Sequence, residues 1–139
     1  MNTNITFSII KPDALARGYT GKILARITDA GFSISALKML YISRRQAEEF
    51  YAVHRERPFY PGLVEFMSSG PVVVMVLEHE NAVEEFRRLI GSTDPEKADR
   101  GTIRAEFGTT VQRNAVHGSD SPENALREAG FFFSAIEIF

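Results

Sequence analysis

The 139-residue sequence contains no cysteine, which excludes disulfide bonds and thiolate metal ligands. Its three histidines, His54, His79 and His117, lie far apart and at none of the spacings typical of metal sites. We therefore expect no structural metal.

An excess of positive charge is also lacking. The chain has 16 Lys and Arg residues against 18 Asp and Glu residues, a net charge of −2, so no global field attracts nucleic acid or acidic membranes. The longest aliphatic run, Val72 to Leu77, is too short to cross a bilayer. The polar start, Met1 to Asn4, lacks the layout of a signal peptide. We expect a cytoplasmic protein that needs neither a membrane nor nucleic acid.

Two common sequence signatures of nucleotide-binding loops are absent as well. There is no Gly-x-Gly-x-x-Gly fingerprint. Residues 18–22, Gly-Tyr-Thr-Gly-Lys, lack the spacing between glycines and the final Ser or Thr of a phosphate loop. This segment is more simply explained as the start of a helix.

The remaining composition is that of an ordinary globular protein, with 44% hydrophobic and 24% charged residues. A chain of this length buries about 68% of its unfolded surface, which is enough for one sizeable core. The sequence contains no internal repeat, low-complexity tract or linker. The sequence predicts a single domain over residues 1–139.

Hydrophobic spacing and capping residues predict the secondary structure. Thr20, Ser43, Asn81 and Ser121 are the expected helix caps. The predicted strands are 5–9, 32–42, 72–77 and 114–117, the predicted helices are 20–30, 43 to a break at 57–58, 61–67, 81–91 and 122–128, and a last extended segment covers 131–133. Residues 92–113 show little periodicity and predict a long ordered loop, a kind of segment that is usually functional.

This order of elements predicts an α+β fold of the ferredoxin-like split βαβ type, βαββαβ, with a four-stranded antiparallel sheet. A helical insertion separates the second and third strands, and the long loop lies near residues 92–113. In this topology the first and third strands are central, and here they are among the most apolar.

The densest group of reactive side chains lies at residues 113–123, around His117. This histidine leaves an extended segment and is followed by small residues, Gly118 and Ser119, which leave its ring accessible. A helix begins just afterwards, and its N-terminus favours an anion. A neutral imidazole is a competent nucleophile, and Glu128 is placed to hold the other ring nitrogen. A capping or core role for His117 is the alternative from spacing alone.

Residues 114–121, Asn-Ala-Val-His-Gly-Ser-Asp-Ser, closely resemble the active-site signature of nucleoside diphosphate kinases. Further blocks of that family match in the same order along nearly the whole chain: 10–13 with 17–18, 57–59, 69–72, 81–87 with Gly91, and 101–104. The departures from the family pattern are His79, Arg100 and Gln112. The last two lie in the predicted loop, where they affect expectations for loop rigidity and subunit contacts.

The resemblance implies an enzyme that transfers the γ-phosphoryl group of a nucleoside triphosphate to a nucleoside diphosphate by a ping-pong mechanism, with little base selectivity. The resemblance implies that His117 is the phosphorylated nucleophile and that Ser119 and Glu128 support it. It places Lys11 and Asn114 at the ribose and nearby phosphate oxygens, with Tyr51 positioning Lys11, and Arg87, Thr93 and Arg104 at the phosphates. Phe59 and Val111 are implied on either side of the base. Mg²⁺ should arrive with the nucleotide, because no carboxylate cage is visible in the sequence.

Ordinary structural explanations also exist for these side chains. They are a solvated strand end for Lys11, surface positions for Arg87 and Arg104, a turn for Thr93, core packing for Phe59 and Tyr51, and a helix surface for the nearby His54. Two other functions are alternatives for such a pattern: an RNA-binding sheet, which the slightly acidic charge disfavours, and an inactive nucleotide sensor, which the intact motif around His117 disfavours.

The C-terminal residues 131–139 are unusually apolar for a chain end. Three consecutive phenylalanines in an extended segment cannot all face one core, since neighbours point in opposite directions. We therefore expect a homo-oligomer built from dimers, as the family resemblance also implies, with a tetramer preferred to a hexamer.

Overall fold

The fold is built on one antiparallel sheet, and the computed structural model describes residues 3–139 of the chain. Met1 and Asn2, which belong to the polar start discussed above, lie outside the described residues. The strands are β1 (Ile5–Ile10), β2 (Ser33–Leu40), β3 (Val72–Glu78) and β4 (Val116–Gly118), in the spatial order β2-β3-β1-β4. The predicted α+β sheet with central first and third strands is confirmed.

Seven α-helices surround this sheet among the described residues: α1 (Pro12–Ala16), α2 (Thr20–Asp29), α3 (Arg44–Phe50), α4 (Tyr60–Met67), α5 (Ala82–Ile90), α6 (Ile103–Phe107) and α7 (Pro122–Phe132). Short 3₁₀ turns occur at Ala52–His54, Pro95–Lys97 and Ala135–Glu137. The helices α3 and α4 form the predicted insertion between the second and third strands. None of the helices in residues 3–139 is long and apolar enough to cross a membrane.

The sheet has a separate hydrophobic cluster on each face, because successive residues of a strand point to opposite sides. Phe7, Ile9 and Val74 pack with residues of α3, α4 and α7 on one face. Ile10 and Met75 pack with residues of α2, α5 and α6 on the other. Burial on both faces explains why β3 is almost continuously apolar, whereas β1 alternates its apolar residues with the buried Thr6 and Ser8.

Three of the four predicted helix caps occupy the N-cap position, and two of these form the capping hydrogen bond with the side chain. Ser43 forms a capping box with Gln46, with N···O distances of 2.9 and 3.1 Å, and Ser121 accepts a hydrogen bond from the backbone N–H of Asn124 at 3.1 Å. Thr20 is the first residue of α2 and Tyr19 takes the capping position without a side-chain bond. Asn81 occupies its predicted position, but its side chain donates to Glu84.

The predictions for the last third of the chain need two corrections. Residues 92–113 are not a continuous loop, because they contain the turn Pro95–Lys97 and helix α6, which is too short to show periodicity. Helix α7 continues past Glu128 to Phe132, so an extended segment at 131–133 is wrong. Phe132 stacks on Phe7 with ring centroids 5.4 Å apart, and such packing outweighs the helix penalty of Gly130, about 1 kcal/mol.

The structure differs from the sequence predictions in two further respects, one near the C-terminus and one near the start of the chain. Phe131 and Phe132 pack beside Phe50, so the argument from an extended run of phenylalanines does not apply. The sequence interpretation also missed α1, which begins at Pro12. Proline is favoured in the first turn of a helix, where its missing N–H is not needed, and so it starts a helix here as well as ending a strand.

Candidate active site

His117 lies in the middle of β4, opposite Ile9 of β1, with its ring beside Phe7 and Phe50. Its Nε2 is 2.9 Å from Oε1 of Glu128, on α7. The same oxygen accepts a hydrogen bond of 2.7 Å from the hydroxyl of Ser119. Because an ionised carboxylate can only accept, we assign the ring hydrogen to Nε2, and Nδ1 makes no hydrogen bond with the described residues.

A cavity of about 570 Å³ opens beside this histidine. Ten of the eleven residues that the sequence indicated line its wall: Lys11, Tyr51, Phe59, Arg87, Thr93, Arg104, Val111, Asn114, His117 and Glu128. Ser119, the eleventh, is fully buried behind the wall and contacts the site through Glu128. Residues from across the sequence thus meet at one place.

Lys11 and Asn114 form a joined pair on this wall. The Nζ of Lys11 donates to Oδ1 of Asn114 at 2.8 Å, and Nδ2 of Asn114 donates to the carbonyl of Thr93 at 3.0 Å. Burial, and then the nearby charge of Arg104, lower the pKa of Lys11 to about 8, while the charge of Asp13 opposes the shift. Lys11 is therefore a buried cation, and a solvated strand end does not describe it.

Arg104 is buried and held by two backbone carbonyls. Its Nη1 donates to Gly91 at 3.0 Å and its Nη2 to Val116 at 2.9 Å. Burial, and then the charge of Arg87, lower the pKa of Arg104 to about 10. Such a guanidinium is fixed before any anion arrives.

Arg87 reaches the same wall from α5 with an exposed side chain. Asp120 lies nearby, and its pKa is lowered by the side-chain hydrogen bond from Asn124 and also by the charges of Arg87 and His117. The carboxylates of Asp120 and Glu128 and a group of cations therefore face the cavity, an arrangement suited to a phosphate-bearing ligand with its counterion.

Tyr51, which was expected to position Lys11, lines the same cavity as that lysine. It is buried, and its hydroxyl has no hydrogen-bond partner among the described residues, so it does not contact Lys11 through a hydrogen bond. Burial, and to a lesser degree the charge of Glu128, raise its pKa. Tyr51 therefore packs in the hydrophobic cluster on this face of the sheet and also lines the cavity.

Phe59 and Val111 form the apolar part of the wall. They are 51% and 56% exposed, so Phe59 is not a core residue. The ring of His54 lies 5.4 Å from that of Phe59, between centroids, and His54 also lines the cavity. An exposed aromatic face at the cavity wall is a surface on which a flat ligand can stack.

Several wall residues were not indicated by the sequence interpretation: Phe50, Val53, Leu63, Gln112, Asp120, Asn124 and Arg127. Asp120 and Asn124 lay within or just after the recognised motif, and their spacing was the signal that could have found them. Arg127 lies 3.7 Å from Glu128 through Nη2 and above the ring of Phe50. Gln112, one of the departures from the family pattern in the predicted loop, also lies on the cavity wall.

A split βαβ sheet that gathers an oriented histidine, a buried lysine and two arginines around one cavity defines a phosphotransferase site. The sequence model of the family described as nucleoside diphosphate kinase matches residues 4–138. The chain belongs to this family.

Similar proteins agree with this assignment. The nucleoside diphosphate kinase of Wolinella succinogenes is 59% identical over 133 residues, 96% of this chain and 97% of the relative, and that of Salinibacter ruber is 53% identical over 138 residues, 99% and 97%. Among solved structures, the Aquifex aeolicus enzyme has a TM-score of 0.95 at 53% identity and covers 98% of this chain and 99% of that chain. A Halobacterium salinarum enzyme in complex with CDP has a TM-score of 0.94 at 38% identity, covering 99% and 92%.

These relationships assign nucleoside diphosphate kinase function to the chain, which is therefore a nucleotide-dependent phosphotransferase.

Proposed function

We propose that the chain transfers the γ-phosphoryl group of a nucleoside triphosphate to a nucleoside diphosphate by a ping-pong mechanism through a phosphohistidine at His117. The observation that carries the proposal is the contact between Nε2 of His117 and Glu128 at 2.9 Å. Because Nε2 holds the hydrogen, the lone pair of Nδ1 is available to attack.

In the first half-reaction, Nδ1 forms a bond to the γ-phosphorus while the bond from that phosphorus to the β–γ bridging oxygen breaks. The electron pair of the broken bond leaves with the diphosphate. Glu128 stabilises the positive charge that develops on the ring, and Ser119 keeps the carboxylate in place. In the second half-reaction a terminal oxygen of an acceptor diphosphate attacks the phosphorus, and Nδ1 leaves.

Arg104, Arg87 and Lys11 neutralise the phosphoryl oxygens in this mechanism. Phosphoryl transfer depends mostly on positioning and on electrostatic stabilisation, and preorganised donors contribute most. The two carbonyls that hold Arg104 support this role, since the guanidinium need not reorganise during the reaction.

Mg²⁺ belongs to the substrate in this proposal, bound to the nucleotide phosphates. Residues 3–139 contain no cluster of three His, Cys, Asp or Glu side chains that could hold a metal ion. Asp120 supplies one carboxylate on the cavity wall, and magnesium in phosphotransferases typically combines one or two carboxylates with substrate phosphates. The residues present therefore fit a magnesium–nucleotide complex.

The base lies between Phe59 and Val111 in our proposal. Stacking does not depend on the hydrogen-bonding edge, because every base has a flat π-face. The exposure of both side chains at the cavity wall supports low base selectivity.

We further propose that residues 1–139 form a single nucleoside diphosphate kinase domain, located in the cytoplasm, that assembles into a homo-oligomer of dimers, with a tetramer preferred to a hexamer. Large apolar side chains that remain exposed support assembly, since monomers rarely expose such patches. They are Ile34, Leu37, Met39 and Tyr41 on and after β2, and Ile136 and Phe139 near the C-terminus.

The mechanism is tested by incubating the protein with γ-labelled ATP and magnesium. We expect label on the wild type and on His79→Ala, whose histidine lies outside the cavity, and none on His117→Ala. The label should be lost in acid and retained in alkali, as for phosphohistidine. Label that persists on folded His117→Ala would contradict the mechanism. An RNA-binding module or an inactive sensor would leave all three proteins unlabelled.

A further inference from the structure

Asp13 is a buried charged residue to which the mechanism above gives no role. It lies in α1 and does not line the active-site cavity. Its Oδ2 accepts a hydrogen bond of 3.1 Å from the backbone N–H of Ala115, 102 residues away in the sequence. Its Oδ1 is buried without a hydrogen-bond partner among the described residues. A first-turn acid that only favoured the helix dipole would not need this distant contact.

Ala115 is the residue whose backbone needs such a contact. Its φ angle is +73°, in the left-handed region, which costs an L-residue about 1–2 kcal/mol. The N–H of Val116 bonds to the carbonyl of Asn114 at 2.9 Å, which closes a tight three-residue turn around Ala115. A strained turn persists only when its surroundings hold it.

Both backbone polar groups of Ala115 are held by the segment that also carries Lys11. The N–H bonds to Asp13, and the carbonyl accepts from the N–H of Lys11 at 2.9 Å. The turn begins with Asn114, the partner of the Lys11 ammonium, and His117 follows Ala115 by two residues. The conformation of this turn therefore fixes the positions of the Lys11 ammonium and the Asn114 amide relative to His117.

We propose that Asp13 is a positioning residue: its carboxylate holds the left-handed turn at Ala115 and thereby places Lys11 and Asn114 relative to His117. The inference rests on the proposed function, because it concerns the alignment of that site. The charge of Asp13 also opposes the lowering of the Lys11 pKa by burial.

The test compares Asp13→Ala, Asp13→Asn, Ala115→Gly and the double variant Asp13→Ala/Ala115→Gly in steady-state kinase turnover. Asp13→Ala should lower kcat by about 10- to 100-fold, because a misplacement of about 1 Å costs up to about 100-fold. KM should rise by a smaller factor. Asp13→Asn retains an acceptor for the Ala115 N–H and should keep kcat within about threefold.

The double variant gives the readout that a purely structural role would not move. Glycine adopts the left-handed conformation without strain, so Ala115→Gly should be close to wild type alone and should raise kcat of Asp13→Ala by at least about fivefold. Asp29→Ala, which removes an exposed acid from α2, is the matched control and should have wild-type kcat. Thermal unfolding of every variant separates misfolding from misalignment.

Three results would overturn the proposal. The first is a kcat of Asp13→Ala equal to that of Asp29→Ala. The second is an equal kcat for Asp13→Ala with and without Ala115→Gly. The third is a loss of more than about tenfold in Asp13→Asn at unchanged thermal stability, which remains decisive if Asp13→Ala fails to fold. If γ-labelled ATP left no label on the wild type, the proposed phosphohistidine would be wrong. The kcat comparisons among the Asp13 and Ala115 variants would still test the positioning role of Asp13.

Discussion

Lys11 shows how burial changes a residue that works by charge. Its ammonium contacts Asn114 inside the protein, and burial with the charge of Arg104 lowers its pKa to about 8. The deprotonated form cannot bind phosphate as a cation. We therefore expect kcat/KM, which reports the free enzyme, to fall as pH rises through about 8.

The corresponding fall of kcat should occur at higher pH, because bound phosphate favours the charged form of Lys11. Lys11→Arg should remove the fall near pH 8, even if its absolute rate is lower, since a guanidinium stays protonated there. Steady-state profiles from pH 6 to pH 10 measure both limbs. An unchanged limb in Lys11→Arg would assign the titration to another group.

The two arginines of the cavity differ in how they are held, and their variants should differ accordingly. Removing one preorganised donor typically lowers kcat by about 10²–10³, so we expect losses of that order in Arg104→Ala and Arg87→Ala. Arg104→Ala should also reduce the free energy of unfolding, by about 1–3 kcal/mol, because it leaves the carbonyls of Gly91 and Val116 unpaired.

Arg87 is exposed and should have little effect on stability. Arg88→Ala is the control, since this neighbour pairs with Glu84 and Glu85 on the exposed side of α5. Stopped-flow turnover and denaturant unfolding give the two quantities. If both cavity variants changed KM alone, the arginines would bind substrate and transition state equally well.

At the scale of elements, the sequence predicted those whose signal is local. The alternation in β1, the apolar run of β3 and the capping box at Ser43 depend on neighbouring residues, and all three are confirmed. The end of α7 depends on contacts with Phe7 and Phe50, which no local pattern contains. Helix α6 has five residues, which is too few to show a period.

The same distinction applies to the site. A family motif located the wall residues, because the chemistry requires particular side chains at particular positions. The hydrogen bond between Asp13 and Ala115 joins residues 102 positions apart. It depends on the positive φ angle of Ala115, which the residue type does not predict. Gln112 does lie in a loop, but nothing local in the sequence shows that it lines the cavity.

Base tolerance depends on the two segments that carry Phe59 and Val111. We expect purine and pyrimidine diphosphates all to be accepted, with kcat/KM values within about two decades, because stacking contributes about 1–3 kcal/mol per base. Steady-state turnover with a panel of diphosphates measures this. A strict requirement for one base would contradict the prediction, and Gln112→Ala would then test whether this amide reads the base edge.

At the scale of the whole molecule, the sheet edge at β2 is an exposed apolar surface to which another chain could bind. It has no strand beyond it in the described sheet, and Leu37, Met39 and Tyr41 are exposed there. Unpaired apolar edges are prone to pair with another chain. We expect the dimers of the proposed oligomer to use this edge.

Leu37→Lys should weaken assembly by placing a charge in that interface. Leu126→Lys is the matched control, because Leu126 is 45% exposed on α7 against 46% for Leu37 on β2. Sedimentation velocity at micromolar concentration distinguishes the species. A wild type that is monomeric and fully active would refute the assembly, and equal effects of both variants would refute the choice of edge.

The pairing of β1 with β4 affects how the protein is made. The ribosome releases residues 5–10 early, and β3 can pair with one side of β1 as soon as residue 78 has emerged. The other side of β1, and the Phe7 ring that stacks on Phe132, stay uncovered until residues 116–132 have been translated. A nascent chain therefore carries an open apolar strand edge through much of its synthesis, the kind of surface that chaperones recognise. Catalytic competence should consequently appear in one late step, when the last strand and helix close over the first.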